Sequence, residues 1–319
     1  MSAWKDLLDP ELEDVLTALP VIDFVDYETF RSTSDAAGAA RAAAVDRGEI
    51  DVVDRMVGAD RAEPVATRVY RPPAGPGLRP AIVHLHGGGF VSGSSDASHA
   101  RNLELSRELD AVVVSVDYRR SPEHPFPAPL DDCETALRWL VGAAGDLGVD
   151  PHRIALHGVS AGGALAAGLA IRVRGDLAPC FQFLSMPITD DRLATASMVR
   201  YVDTPVWSRP VGETSWAHYL GDLAPGSPEV PIDAAPGRAS VDDLRGLPPA
   251  YVAVMGLDPL CDEGLAYAAM LAEAGVPVEV HRFPGAFHAA FTAKPTAEVS
   301  RRYLAEEIQV LARALGVER

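Results

Sequence analysis

From about residue 52 onward, short runs of apolar and β-branched residues alternate with segments of helical periodicity. The runs lie near residues 66–70, 81–85, 111–116, 153–157, 179–185, 250–255 and 277–283, and the helical patterns near 96–109, 127–143, 161–173, 262–274 and 296–315. Strands that alternate with helices predict a mostly parallel sheet covered on both faces. Since only a short stretch joins the first two runs, we expect them to form an antiparallel hairpin at the sheet edge.

The stretch from about 187 to 246 interrupts this alternation. It contains seven prolines together with the aromatic residues Trp207, Trp216 and Tyr219. A structureless loop of this length is unusual in a compact domain. We therefore interpret 187–246 as a cap insertion, with a loop-rich spacer as the alternative. Residues 1–50, polar with helical spacing, are assigned to the N-terminal part of the cap, which leaves 51–186 and 247–319 as the core.

The charge balance limits the classes of partner. Among the 319 residues, 28 basic and 45 acidic side chains give a net charge of −17. Nucleic acid and anionic membranes require a basic surface, so neither is expected as a partner. A strongly anionic substrate is less expected for the same reason, although solubility alone also explains such a charge.

Cysteine usage and the N-terminal residues bear on the cellular compartment. Cys133, Cys180 and Cys261 show no short metal-ligand spacing, and pairing two of them would leave an odd thiol. The first residues lack a basic segment followed by an apolar one, and no apolar run approaches the roughly 20 residues that span a bilayer. These features predict a cytoplasmic location.

The segment 158–163, Gly-Val-Ser-Ala-Gly-Gly, lies between an apolar run and a helical pattern. Small residues are needed where a strand turns sharply into a helix and exposes a serine nucleophile. Ser160 is therefore the candidate nucleophile. The amide of Ala161, at the start of the helix, is a candidate donor to an oxyanion.

A second glycine run, His86 followed by Gly87, Gly88 and Gly89, comes directly after the 81–85 run. Consecutive glycines have a high entropic cost, which indicates that their amides face a ligand. Gly88 and Gly89 are the candidate oxyanion donors, with a merely flexible loop as the alternative. A phosphate loop is excluded because no Gly-Lys-Ser/Thr sequence follows.

A serine nucleophile needs a base and an orienting carboxylate. His288 follows the last strand pattern and Asp258 follows the 250–255 run, so both are expected at the carboxyl edge of the sheet beside Ser160. Asp262 is the competing acid, but it lies where a helix begins and suits its first turn. The order Ser160, Asp258, His288 is that of acyl-transfer α/β enzymes.

Five segments resemble those of bacterial hormone-sensitive-lipase-like esterases in the α/β-hydrolase superfamily. They are 86–90 (HGGGF), 117–127 (DYRRSPEHPFP), 158–163, 258–263 (DPLCDE) and His288, and 216–220 is a weaker match to a cap helix. The resemblance covers nearly the whole chain from about residue 60. It implies the α/β-hydrolase fold, with a mostly parallel eight-stranded sheet, helices on both faces and a helical cap. It also gives Asp258 the role of the triad acid.

The chain departs from the family pattern at three places. Val159 occupies a position that usually holds Asp or Thr, Ala289 and Ala290 follow His288 where Gly-Phe is common, and Cys261 replaces a frequent Arg. None of these changes removes a catalytic group, but with all three of them the identity of the substrate stays undetermined.

Other residues are assigned mainly structural roles or weaker binding roles. His84 and His86 have a zinc-like spacing without further ligands nearby, so a hydrogen bond from His86 that shapes the glycine loop is favoured over a metal site. Glu123 is expected to form a structural hydrogen bond, and His157 to be a core or surface residue. The candidate substrate contacts are Phe90, Ser94, Asp96, Tyr201 and Trp207, and for Trp207 and Trp216 packing within the cap is the competing interpretation.

The resemblance implies a serine carboxylesterase that hydrolyses short- to medium-chain esters through an acyl-enzyme, without cofactor or metal. A specialised acyl hydrolase (deacetylase, lactonase, carbonate esterase or amidase) would use the same triad. A non-catalytic receptor on this fold is a remote alternative, because such a protein should have lost a triad residue. The expected partner is a small-molecule ester, and by family analogy the last strand and its flanking helix offer a homodimer interface.

Overall fold

The computed structural model describes residues 4–58 and 63–318, and within them eight strands form one sheet. The strands are β1 Asp51–Val57, β2 Val65–Arg71, β3 Arg79–Leu85, β4 Val112–Asp117, β5 Val149–Val159, β6 Phe181–Ser185, β7 Ala250–Met255 and β8 Val278–Phe283. Their order in the sheet is β1-β2-β4-β3-β5-β6-β7-β8. β2 pairs antiparallel with β1 and β4, and all other neighbours are parallel. The predicted mostly parallel, eight-stranded sheet is confirmed.

Helices cover both faces of this sheet. They are α1 Tyr27–Ala43, α2 His99–Glu108, α3 Ala128–Gly142, α4 Ala144–Leu147, α5 Ala161–Arg172, α6 Ala196–Arg200, α7 Arg209–Leu220, α8 Cys261–Glu273, α9 Ala290–Ala293 and α10 Glu298–Leu315. Alternate strand residues point to opposite faces. Val83 thus belongs to a core that includes α3, α5 and α8, whereas Ile82 belongs to one that includes α2 and α10.

The expected hairpin between the first two apolar runs is wrong. These runs are β2 and β3, and β4 lies between them in the sheet. The hairpin partner of β2 is β1, in a register that joins Asp51 to Arg71. Sequence reasoning missed β1 because this edge strand is mostly exposed and has no continuous apolar run.

The N-terminal segment and the 187–246 insertion touch each other. The segment contains 3₁₀ helices at Lys5–Leu7 and Pro10–Ala18 and then α1, and the insertion contains α6, α7 and two short 3₁₀ helices. Phe24 packs edge-on against Trp207 at a ring distance of 6.5 Å, and its carbonyl lies 2.8 Å from Nε2 of His218. Nε1 of Trp4 donates a hydrogen bond to Asp203.

Within residues 4–58 and 63–318, none of the helices is both long enough and apolar enough to cross a membrane.

Candidate active site

Ser160 lies at a sharp turn between the end of β5 and the start of α5. Its backbone has φ of 57° and ψ of −117°, a conformation that L-residues rarely adopt and that is typically strained by about 1–3 kcal/mol. A Cβ built on Gly158 would lie 2.0 Å from the carbonyl oxygen of Gly162, and one built on Gly162 would lie 2.0 Å from that of Leu85. Only glycine fits at these two positions, so the spacing of the motif follows from contacts between main-chain atoms.

The structure brings Ser160, His288 and Asp258 together in one hydrogen-bonded line. Nε2 of His288 lies 2.9 Å from Oγ of Ser160, and Nδ1 of His288 lies 2.6 Å from Oδ2 of Asp258. The amide of Leu260 donates to the second carboxylate oxygen of Asp258 and fixes its orientation. All three side chains are buried. The arrangement can transfer a proton from the serine to the imidazole as the serine oxygen attacks a carbonyl carbon.

Asp262, the competing acid, has a different partner. It lies in the first turn of α8, and its carboxylate accepts a hydrogen bond from the amide of Ser197 at 2.7 Å. This interaction anchors α6, in the insertion, to the start of α8.

The glycine run after β3 lies beside the serine. A Cβ on Gly87 would be 3.4 Å from Cβ of Ser160. Gly88 and Gly89 have φ of 130° and 60°, values that favour glycine. Their carbonyls accept hydrogen bonds from the hydroxyls of Ser92 and Ser215, at 3.1 and 2.7 Å. These interactions hold the loop in one conformation.

Among the residues that the structure describes, the amides of Gly88, Gly89 and Ala161 are not used by the fold itself. Among the described residues, no loop, turn or side-chain acceptor takes a hydrogen bond from any of the three. Free amides beside a nucleophile are the arrangement that stabilises an oxyanion.

His86 shapes the glycine loop from its far side. Its Nδ1 lies 2.9 Å from the carbonyl of Gly87, and its ring stacks on Tyr118 at 4.1 Å. The hydroxyl of Tyr118 donates to the carbonyl of His86. Burial lowers the pKa of His86. Glu123 also makes a structural contact, since both of its carboxylate oxygens accept hydrogen bonds from Arg31, at 2.7 and 2.9 Å.

A cavity of about 300 Å³ opens onto the serine and the glycine loop. Trp207 lines it, with its ring 5.5 Å from that of His288. Further lining residues include Ile22, Phe24, Val159, Val206, Phe291 and Thr292. The cavity thus joins the triad to side chains from the N-terminal segment, the insertion and α9.

Comparison with known proteins gives a consistent result. The sequence pattern of the alpha/beta hydrolase fold family matches residues 82–292. The chain is 39% identical over 288 residues to Esterase LipI of Mycobacterium tuberculosis, and the match covers 87% of this chain and 86% of that one. It is 40% identical over 243 residues to Carboxylesterase NlhH of the same species, 75% of each chain. A solved structure named Bacterial Heroin Esterase superimposes with a TM-score of 0.93 at 44% identity, and the match covers 97% of this chain and 98% of that chain.

The chain belongs to the α/β-hydrolase family. It is a hydrolase of the hormone-sensitive-lipase-like type, as its motifs predicted.

The other four predicted substrate contacts of this hydrolase have different surroundings. Phe90 is buried with φ of 63° and stacks on Tyr219 at 3.8 Å, and Tyr201 is buried in the core that includes residues of β7 and α10. Ser94 lines a different cavity beside His86, and Asp96 forms an ion pair with Arg68. Among the described residues, these four do not line the cavity at Ser160.

The positions where the hydrolase departs from its family lie close to the site. Val159 and Ala289 both line the cavity. Ala289 has φ of 58°, so a residue with a side chain adopts a left-handed backbone conformation that favours glycine. Cys261 is buried at the start of α8. Burial raises the pKa of its thiol, while Arg282 acts in the opposite direction.

Sequence reasoning missed two groups of cavity residues. Ile22 and Phe24 arrive from an N-terminal segment whose path no local pattern reveals. His84, Arg101, His157 and Glu307 line the inner part of the cavity. The presence of two histidines on apolar strands, His84 and His157, was the available signal. Across residues 4–58 and 63–318, no cluster of three or more His, Cys, Asp or Glu side chains could hold a metal ion.

Proposed function

We propose that the chain is a serine carboxylesterase that hydrolyses short- to medium-chain esters through an acyl-enzyme. The observation that carries this proposal is the line from Ser160 through His288 to Asp258, with distances of 2.9 and 2.6 Å, beside free glycine amides. The names of the relatives, Carboxylesterase NlhH and Esterase LipI among them, support the same chemistry.

The catalytic steps follow from this geometry. Nε2 of His288 takes the hydroxyl proton of Ser160 as the serine oxygen bonds to the ester carbonyl carbon. Asp258 accepts the Nδ1–H hydrogen bond and stabilises the imidazolium. The amides of Gly88, Gly89 and Ala161 donate to the resulting oxyanion. His288 then protonates the departing alcohol. In the second half of the reaction a water molecule gives a proton to His288 as it attacks the acyl carbonyl carbon, and Ser160 regains its proton from His288 as the carboxylic acid leaves.

The cavity supports a small ester as substrate. Its volume of about 300 Å³ is at the lower end of the range for ligand pockets, roughly 300–1,000 Å³. Phe24 and Trp207 cover it with aromatic rings. We assign residues 1–50 and 187–246 to a cap over this cavity, because Phe24 belongs to the first range and Trp207 to the second, and the two rings touch.

The assembly and location stay predictions. A homodimer through β8 is supported by the position of this strand at the sheet edge and by Val280, which is 45% exposed. Edge strands are ready surfaces for pairing. Sedimentation of the purified chain would test the dimer, and fractionation of cells that express it would test the cytoplasmic location.

Initial rates on p-nitrophenyl esters from acetate to palmitate test the proposed activity, with Ser160→Ala measured in parallel. We expect rates that peak at short to medium chains and are lost in the variant. Ser32→Ala, an exposed serine in α1, is the matched control and should retain the wild-type rate. A folded protein without activity on any ester would contradict the proposal, as would a Ser160→Ala variant that retains its rate.

A further inference from the structure

Four polar side chains that line the catalytic cavity form a continuous chain of hydrogen bonds. Nδ1 of His84 lies 2.9 Å from Nδ1 of His157, and Nε2 of His157 lies 2.6 Å from Oε1 of Glu307. Nε of Arg101 donates to the other carboxylate oxygen of Glu307 at 2.9 Å. These four residues come from β3, β5, α10 and α2, and all of them line the cavity that contains Ser160. We call them the inner cluster.

The charges in the inner cluster determine which atoms carry protons. Burial raises the pKa of Glu307, but Arg101 and the hydrogen bond from His157 outweigh it and hold the pKa below its ordinary value. The ionised Glu307 therefore accepts the Nε2–H of His157. Of the two facing Nδ1 atoms one must donate and the other accept, and because Arg101 balances the charge of Glu307 we assign the lone pair to Nδ1 of His157 and the proton to Nδ1 of His84.

This arrangement determines which ring nitrogen of His84 carries the proton. The lone pair on Nδ1 of His157 accepts the Nδ1–H of His84. Burial lowers the pKa of His84 well below its ordinary value, so the ring is neutral. A neutral imidazole that donates from Nδ1 has a lone pair on Nε2. Nε2 of His84 is thus a hydrogen-bond acceptor.

That acceptor has no partner in the part of the chain that the structure describes. Nε2 of His84 is buried and makes no hydrogen bond with residues 4–58 or 63–318. Buried polar atoms are nearly always paired, and an unpaired one is costly. Since His84 lines the cavity beside the serine, a ligand in the cavity can supply the missing donor.

We propose that His84 is a specificity-determining residue whose Nε2 accepts a hydrogen bond from a hydroxyl or amide N–H on the ester. The inference rests on the proposed function and names its substrate class: esters with a donor group at the far end of the chain that enters the cavity. Glu307 and Arg101 hold His157, and through it His84, in the tautomer that accepts.

The length of chain between the ester and the donor follows from the strand geometry. His84 is in register with His157, and Ser160 follows His157 by three residues along the same strand direction. At about 3.3 Å per residue, the acceptor lies on the order of 10 Å from the nucleophile. A chain of about six carbon atoms is suited to this span.

Two pairs of esters test the proposal and distinguish the acyl side from the alcohol side. Ethyl 6-hydroxyhexanoate is compared with ethyl hexanoate, and 6-hydroxyhexyl acetate with hexyl acetate, by titration of the released acid. In one of the pairs we expect the hydroxyl to raise kcat/KM by about tenfold, the upper range for a neutral hydrogen bond. Ethyl 6-methoxyhexanoate and 6-methoxyhexyl acetate accept but do not donate, and should show no such gain.

His84→Asn shows whether the gain depends on this atom. The asparagine amide can still donate to His157 from the position of Nδ1, but no acceptor remains at the position of Nε2. The ratio of hydroxylated to plain ester should fall to about one. His152→Asn, an exposed histidine earlier in β5, should leave the ratio at its wild-type value.

Several outcomes would overturn the proposal. Equal kcat/KM for both members of each pair in the wild-type protein would do so without any variant. So would a hydroxyl preference that survives in His84→Asn, or a methoxy ester that gains as much as the hydroxy ester. Activity on the plain esters in these cases shows that the carboxylesterase function stands. Loss of activity on every ester would instead contradict the proposed function.

Discussion

The two ends of the catalytic cavity are built from different interactions. At the catalytic end, the positions of Ser160 and the glycine loop are set by contacts between main-chain atoms, such as the 2.0 Å that would separate a Cβ on Gly162 from the carbonyl of Leu85. At the inner end, side chains from four separate elements are held by a buried ion pair and a histidine pair. The motif glycines of the catalytic end therefore tolerate almost no change of residue type, whereas the positions of the inner end are not restricted by such main-chain contacts.

This difference separates chemistry from selectivity in the molecule. The triad can be retained by any member of the family because its geometry depends on motif glycines and on the edge of the sheet. The inner cluster requires residues at unrelated positions, Arg101 and Glu307 among them, and none of these is part of the motifs that carry the resemblance. We infer that relatives with the same triad differ in what their cavities accept.

The largest expected effect on the catalytic end comes from removing the negative charge that contacts His288. Asp258→Asn should lower kcat by about 10⁴-fold, because an amide supports the wrong imidazole tautomer while leaving the geometry intact. Steady-state kinetics on p-nitrophenyl butyrate measure the change.

The control for this variant is Asp262→Asn, since Asp262 binds the amide of Ser197 and does not contact the imidazole. We expect its kcat to stay within a few-fold of the wild-type value. If the two variants lost activity equally, Asp258 would not be the triad acid.

Sequence reasoning reached the candidate residues at one end of the cavity and missed those at the other for the same physical reason. Ser160 and Gly88 lie in short motifs whose local backbone demands are visible in the residues themselves. Asp258 and His288 could be placed because each follows a strand and the carboxyl ends of parallel strands share an edge. Phe24 could not be placed, since nothing nearby in sequence indicates where the N-terminal segment passes.

The inner cluster was hidden because its contacts are distant in sequence. His84 meets His157 only because β5 is a neighbour of β3, and Glu307 reaches His157 across 150 residues. A histidine on an apolar strand gives no sign of its partner until the order of the strands is known. The same missing information produced the wrong hairpin, since the position of β4 between β2 and β3 is also a property of strand order.

Breaking the inner ion pair should affect stability more than chemistry. Arg101→Met leaves Glu307 buried without its counter-charge, which typically costs about 3–5 kcal/mol of unfolding free energy. Urea unfolding measures this loss. The rate on p-nitrophenyl acetate, whose acyl group is too short to reach the inner end, should fall far less than in Asp258→Asn.

The double variant Arg101→Met/Glu307→Met provides the control, because it removes both charges together. It should recover part of the lost stability, since a buried ion pair and an apolar replacement are often similar in free energy. A double variant no more stable than Arg101→Met alone would show that the destabilisation does not come from the unpaired carboxylate.

Replacement of a glycine at the catalytic end should have an effect of intermediate size on the free energy of unfolding. Gly162→Ala places a methyl group against the main-chain oxygens of Leu85 and His86, which cannot move away as a flexible side chain would. We expect a loss of about 1–3 kcal/mol or more in unfolding free energy, with reduced activity. Gly145→Ala, in α4, meets open space and should be neutral or stabilising by up to about 1 kcal/mol. Equal effects of the two variants would contradict the main-chain contacts at Gly162.

The smallest expected effect concerns Ala289, directly after His288 at the catalytic end. Its φ of 58° costs an alanine about 1–2 kcal/mol relative to a right-handed conformation, a strain that glycine does not have. Ala289→Gly also makes the unfolded chain more flexible, which offsets about 0.4–1 kcal/mol of the gain. The net result should be a stabilisation of about 0–1.6 kcal/mol, measured as a small upward shift of the urea midpoint. A clear destabilisation would mean that the packing of the methyl group in the cavity stabilises the fold by more than the left-handed backbone conformation destabilises it. In that case the side chain at this position contributes to the shape of the site.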